Sequence, residues 1–314
     1  MSSFDDVPAG WFNRSEFLPV VFSILKRVIV GHSGAAMLRL PAVAGRFYPS
    51  NPNELAASVR RMSAVPRDAE KISVVACLVP HAGYMYSGAV AGEVLGRIAL
   101  TKKVLILGVR HFPRGESAAI LSNGAWRTPL GDAPIDTDLA MALRDACPLL
   151  REDSVAHSQE HSLEVQIPFL QVLAPGFSFV PVALGTVRFE DLVSVGEAVA
   201  RVLMAAREPV LLLATSDLNH YEDDATTRVK DAKAVEKLLA LDARGLFDVC
   251  REEKISMCGL GPAVATITAL RAMGVTHGEL VRYATSADVS GDTSSVVGYA
   301  GITWGERRSK EAMK

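Results

Sequence analysis

The chain has 314 residues, of which 49% are apolar and 22% charged, with a formal charge of −2 at pH 7 and a mean hydropathy of +0.21. This is enough apolar material for one large core or two ordinary ones. A sequence pI near 6.4 offers no basic field for nucleic acid, so a small molecule or a protein is the better class of partner.

In chain order, the first feature is FLPVVFSILKRVIV, Phe17 to Val30. Lys26 and Arg27 interrupt it well short of the ~20 residues a membrane span needs, and Asp5 and Asp6 stand where an export signal carries lysines. It reads as neither signal nor anchor. Residues 1–36 are therefore expected to be an N-terminal extension to a single α/β domain over 37–306, with a charged tail at 307–314. The four cysteines form no CxxC pair, which points to reduced thiols and a cytoplasmic protein without membrane contact.

Four short apolar runs have the length and branched-residue content of buried strands: ISVVACLVP (72–80), KVLILG (103–108), FSFVPVALG (177–185) and VLLLATS (210–216). Between them lie helical patterns at 136–146, 189–206 and 224–250, the last with a break expected near Gly245. SSVVGYAGITW (294–304) adds a final strand. Strands apolar on both faces that alternate with helices predict a layered α/β fold around a central, largely parallel or mixed sheet.

In such a sheet the site lies outside the carboxyl ends of the strands, so the residue after each run is informative. His81 follows the first run, His111 the second, and Asp217 and His220 the last. Several imidazoles converging at strand ends offer metal ligation, acid–base chemistry or both. Cys258, in MCGLGPAVATITAL (257–270), precedes a helix whose N-terminus favours the thiolate. Cys77, Cys147 and Cys250 read as structural thiols, and His32 and His277 as packing or surface residues.

HSQEHSLEVQIPFL (157–170) contains H-x-x-E-H, His157, Glu160 and His161, the pattern of an inverted zinc-protease motif, which makes a zinc hydrolase a rival reading. As a helix it would place His157, His161 and Glu164 on one side and Leu163, Ile167 and Leu170 on another. That rival leaves the strand-end histidines unexplained. TSADVSGDTSSVVGYAG (285–301) reads as a polar turn before the last strand. No Walker loop, GxGxxG or GxSxG is present.

Taken in order, RLPAVAGRFYP, VPHAGYMYSG, LILGVRH, EHSLEVQIPFL, SDLNHYED, MCGLGPA and SGDTSSVVGYAG resemble the Memo family, whose bacterial and archaeal members are called AmmeMemoRadiSam system protein B. The resemblance runs from about Arg39 to Trp304. It implies a fold like that of class III extradiol ring-cleaving dioxygenases, and a metal centre at His81, His111 and Cys258 holding iron(II), or copper, with zinc a lesser expectation. By the same matching, His220 is the acid–base residue with Asp217 orienting it, and Glu160, His161 and Glu164 border the pocket. Tyr84 and Tyr86 either contact an aromatic ligand or pack.

Two departures from pattern matter. Ring-cleaving dioxygenases hold iron with two histidines and a carboxylate, whereas this chain offers the oxidisable thiol of Cys258. The family has Pro-Ser or Pro-Asn before the second histidine, and here Val109 and Arg110 stand there, so Arg110 either sets a positive charge by the site or points to solvent. The implied functions are oxygen-dependent conversion of a small phenolic substrate, or a non-catalytic role in binding metal or a peptide. Association with radical-SAM and AMMECR-type proteins belongs to the same implication.

Overall fold

The computed structural model describes residues 37–66 and 69–306, so the N-terminal extension and the charged tail lie outside the described residues. In chain order these residues form β1 (Leu38–Arg39), α1 (Pro52–Met62), β2 (Val74–Val79), α2 (Tyr84–Arg97) and β3 (Lys103–Val109). Next come β4 (Ala118–Ile120), β5 (Ala125–Thr128), β6 (Gly131–Pro134), α3 (Thr137–Ala146), β7 (Arg151–Glu152) and α4 (Ser154–His157). A 3-10 turn at Glu164–Gln166 leads into α5 (Ile167–Leu173), followed by β8 (Ser178–Leu184), α6 (Phe189–Ala205) and β9 (Val210–Thr215). The remainder is β10 (His220–Glu222), α7 (Asp224–Leu239), α8 (Ala243–Glu252), α9 (Leu260–Ala272), β11 (Gly278–Thr285), α10 (Ala287–Ser290) and β12 (Val296–Glu306).

The four apolar runs become β2, β9, β3 and β8, the parallel centre of a mixed sheet ordered β10-β12-β2-β9-β3-β8-β4-β7, with β11 on β12. Alternation along these strands feeds two cores. Leu105, Leu107, Leu212 and Ala214 pack with Val195, Val199 and Ile267 of α6 and α9 on one face. Val104, Ile106, Leu211 and Leu213 pack with Leu55, Val94 and Phe169 of α1, α2 and α5 on the other. Burial on both faces is why these segments read as continuous apolar runs.

Three details differ from the sequence expectation. The long helical pattern breaks at 240–242, where Leu241 has φ 54° and Asp242 caps α8, rather than at Gly245. Gly245 lies in the first turn of α8, donating its N–H to the capping Asp242 carboxylate at 2.8 Å. Strand β11 was not anticipated, since as a strand pairing only with β12 it is mostly exposed and carries no buried run. The small sheet β1-β5-β6 is likewise illegible from pattern; its register sets Arg39 opposite Trp126.

The four cysteines are free, and among the described residues no helix is long and apolar enough to cross a membrane. Helix α2 approaches the end of α1 through glycines four residues apart. A Cβ on Gly92 would lie 2.5 Å from the Met62 carbonyl oxygen, and one on Gly96 2.3 Å from that of Ser63. Backbone cannot give way as a flexible side chain does, so Gly92→Ala is expected to lower unfolding free energy by about 1–3 kcal/mol in denaturant titrations. A change below a few tenths of a kcal/mol would show that this contact is slack.

Candidate metal centre

Because β2, β9 and β3 are parallel neighbours, their carboxyl ends deliver three loops to one edge of the sheet. His81 follows β2 and is 1% exposed. Its backbone N–H donates to Asp217 Oδ1 at 2.8 Å, and its Nδ1 lies 2.8 Å from Thr215 Oγ1 at the end of β9. His111 follows β3. Its backbone N–H donates to Glu160 Oε2 at 2.7 Å and its Nδ1 lies 2.9 Å from Oε1 of the same carboxylate.

A third imidazole joins them. The His161 ring stacks on that of His111 with centroids 4.5 Å apart and 19° between planes, and meets His81 edge-on at 5.6 Å. Ligand nitrogens of His81, His111 and His161 all lie within 4.8 Å of one another. Cys258 Sγ sits 3.1 Å from His81 Nε2 and accepts the Asp217 N–H at 3.3 Å. That approach needs the neighbouring glycine: a Cβ on Gly259 would lie 2.5 Å from the Thr215 carbonyl oxygen.

The residues fit a metal ion. With Nδ1 of His81 engaged by Thr215 and Nδ1 of His111 by Glu160, each ring keeps Nε2 for a ligand bond, the arrangement by which outer partners fix tautomer and orientation. Imidazoles with a thiol beside them suit iron, copper or zinc rather than calcium or magnesium.

Electrostatics follow from the same contacts. Burial opposes charge on Cys258, but the imidazoles of His81, His111 and His220 hold its thiol well below the ordinary value. Burial also disfavours the imidazolium at His111, yet Cys258 and Glu160 hold its pKa at about 10. His220, likewise buried and likewise bonded to Cys258, is held at about 9. His161 goes the other way, pushed down to about 3 by burial and by the positive charge of His111 and His81. Glu160, against its burial, is held well below the carboxylate range by His111.

The segment carrying Glu160 and His161 has no regular structure, and one guanidinium holds it. Arg39 Nε donates to the His157 carbonyl at 2.7 Å, Nη2 to the Glu160 carbonyl at 2.7 Å and Nη1 to Glu164 Oε2 at 2.6 Å, while its plane lies 4.0 Å over Trp126. Ser162 Oγ adds a tie to β3, accepting the Val109 N–H at 3.0 Å. Gln166 Nε2 donates to the Pro80 carbonyl at 3.0 Å and to Thr215 Oγ1 at 3.2 Å, joining this segment to β2 and β9.

Against the sequence expectations, the placements are these. His81, His111, His161, Cys258, Glu160, Asp217 and His220 come together. Glu164 does not border the cluster: it is fully buried, with its oxygens taken by Arg39, Tyr48 and the N–H groups of Ala42 and Val43. Tyr84 is also spent on packing, its hydroxyl donating to the Val165 carbonyl at 2.7 Å. Tyr86 packs with Val90 and Tyr299. Arg110 reaches the carbonyls of Arg114 and Gly115, not the histidines. The Asp217 carboxylate holds the His81 backbone, while His220 is fixed by its N–H to Ser256 Oγ at 2.8 Å.

The H-x-x-E-H stretch is not one helix. Asp153 caps α4, which ends at His157, and helical geometry resumes only at Glu164. The His157 ring turns its edge to Trp126 with centroids 5.7 Å apart, outside the histidine group. Thr215, Gln166, Ser162 and Arg39 were not anticipated as site residues. Thr215 had a signal as the polar terminus of an apolar strand, and Arg39, Ser162 and Gln166 lie within motifs that carry the family resemblance.

A mixed α/β sheet with imidazoles gathered at the carboxyl ends of its parallel strands defines a class, α/β proteins with a three-histidine group able to hold a transition metal. Within it, the model of Memo-like proteins matches residues 39–303, and the chain belongs to the Memo family. A MEMO1 family protein of Methanopyrus kandleri is 42% identical over 280 residues, covering 85% of this chain and 99% of that one. One of Caldivirga maquilingensis is 36% identical over 277 residues, covering 85% and 98%. Among solved structures, an uncharacterized protein of Escherichia coli K12 is similar with TM-score 0.46 and 13% identity over 72% of this chain and 98% of that one.

Two outcomes are expected. Arg39→Met leaves the Glu164 carboxylate buried without its cation and should cost about 3–5 kcal/mol in denaturant unfolding, part of it recovered when Glu164→Gln is added. Metal uptake should strengthen as pH rises through the neutral range. With its pKa at about 10, metal-free His111 carries a proton at pH 7 that a metal must displace, so affinity falls as protons become more abundant. Calorimetry in buffers of different ionisation enthalpy should register proton release on zinc or iron binding; uptake without release at pH 7 contradicts the charge state given to His111.

Proposed function

We propose that this Memo-family protein is a non-haem metal-dependent oxidoreductase that converts a small phenolic or related aromatic compound with dioxygen, using iron(II), with copper as the second choice. The observation that carries this reading is the group His81, His111 and His161, with nitrogens within 4.8 Å of one another and Cys258 alongside. When bound, iron or copper supplies electron-transfer chemistry toward dioxygen and phenolates.

The chain's own residues supply the rest. Glu160 and Thr215 orient two imidazoles, so ligand geometry is set before anything binds. His220, held at about 9, carries a proton at neutral pH beside the Cys258 thiolate, which supports assigning it the exchange of that proton with substrate. Next to it Tyr221, 63% exposed, takes the left-handed φ of 65°, which a bulky residue adopts only under constraint. Its ring centroid lies 5.4 Å from that of His220, an apolar face beside the proposed acid–base residue that would favour a flat aromatic substrate.

Metal analysis after anaerobic purification, followed by oxygen uptake with a panel of catechols, tests the reading. Iron should be retained by the wild type and lost in His111→Ala. His220→Gln should keep its metal while the rate falls by roughly 10²–10⁴-fold. Iron-loaded protein that consumes no oxygen with any catechol would sink the reaction and leave only metal binding.

A further inference from the structure

A concavity of about 510 Å³ lies beside the histidine group, from which Phe47 divides it, and takes no part in the chemistry above. Its walls include Phe47, Met62, Tyr84 and Met85, and two cations, Arg46 and Arg61, face into it. Among the described residues no carboxylate lines it. The guanidinium of Arg46 makes no hydrogen bond or ion pair among the described residues, and that of Arg61 makes one long contact, 3.4 Å, to Ser58 Oγ.

The loop that shapes this pocket is rigidly held. Gly45 turns at φ 80°, Arg46 and Phe47 N–H both donate to the Val43 carbonyl, and Gly45 N–H donates to the Tyr48 carbonyl at 2.7 Å. The Phe47 carbonyl accepts the Tyr84 N–H at 2.8 Å, and the Tyr48 hydroxyl donates to Glu164 Oε1 at 2.6 Å. Both tyrosine hydroxyls are thus committed inward, leaving their rings as apolar wall. Met85, 68% exposed, adds an adaptable surface to the same lining.

A fixed aromatic wall with two unneutralised guanidiniums matches one ligand chemistry. The volume lies within the roughly 300–1,000 Å³ of small-molecule sites, and guanidinium forks pair with planar oxyanions in two parallel bonds. We propose that the pocket binds a small aromatic carboxylate, its anion between Arg46 and Arg61 and its ring on Phe47 and Met85. The site is connected to the metal centre through Phe47, whose ring packs on His161 with centroids 4.8 Å apart. An occupant therefore rests against the residue that supports a candidate ligand.

The test uses metal-free full-length protein, so its result is independent of whether the histidine group performs oxygen chemistry. Calorimetric titration compares 3-phenylpropionate, its neutral amide and acetate. The carboxylate should bind about tenfold more tightly than the amide, and acetate more weakly than either. Arg46→Met with Arg61→Met should erase the preference for the carboxylate while leaving the melting temperature unchanged. In NMR spectra the His161 ring signal should shift on adding 3-phenylpropionate to the wild type and stay still in the double variant. Equal binding of acid and amide, or an unaltered preference in the double variant, overturns the proposal.

Discussion

The buried guanidinium of Arg39 is the constraint on which the site depends. It binds the carbonyls of His157 and Glu160 and the carboxylate of Glu164, and stacks on Trp126. The stretch it holds makes no helix between His157 and Glu164, so its backbone polar groups need partners from elsewhere. Arg39 satisfies two of those carbonyls and balances one buried carboxylate. The charge is worth burying because its donors are used; a cation with fewer partners would cost more than it returned. Glu160 and His161 owe their positions to this clamp, and the His111 ring is oriented in turn by Glu160.

A second layer of order comes from the sheet. Val79 is level with Thr215 across β2 and β9, so His81 and Asp217, each two positions further on, come close together and the Asp217 carboxylate accepts the His81 N–H. Cys258 enters from the helical side, admitted by the bare Gly259 backbone, and accepts the Asp217 N–H. Three segments far apart in sequence therefore meet at one edge. Their charges are interdependent: a thiolate and the Glu160 carboxylate sit among imidazoles, which against burial raises His81, His111 and His220, while burial and the neighbouring imidazoles push His161 down. A metal entering such a group replaces protons with its own charge.

The loop before α1 touches both the histidine group and the arginine-lined concavity. Its Val43 and Tyr48 ends are tied to Glu164, and Phe47 separates the histidine group from the arginine pocket. Glu164, which borders neither cavity, thereby acts on both through the backbone. This is why a carboxylate in a motif near the site is spent on structure.

How much was legible follows from the physics of each signal. The buried strands could be read because burial on both faces leaves nothing but apolar residues in a row, and the strand-end histidines stood out because parallel strands present their carboxyl ends together. The ordered motifs also carried the family. What sequence could not supply was anything set by contact between distant segments: the β1–β5 pairing that brings Arg39 to Trp126, the role of Thr215 behind His81, the diversion of Glu164 and Tyr84 into packing, and the entry of His161 as third imidazole while His157 turns away. Spacing of four along the chain says that two histidines would share a face if the segment were helical. Whether it is helical was decided by Arg39, whose bonds to the His157 and Glu160 carbonyls, like the Ser162 hydroxyl's bond to the Val109 N–H, exist only once the tertiary fold has brought these segments together.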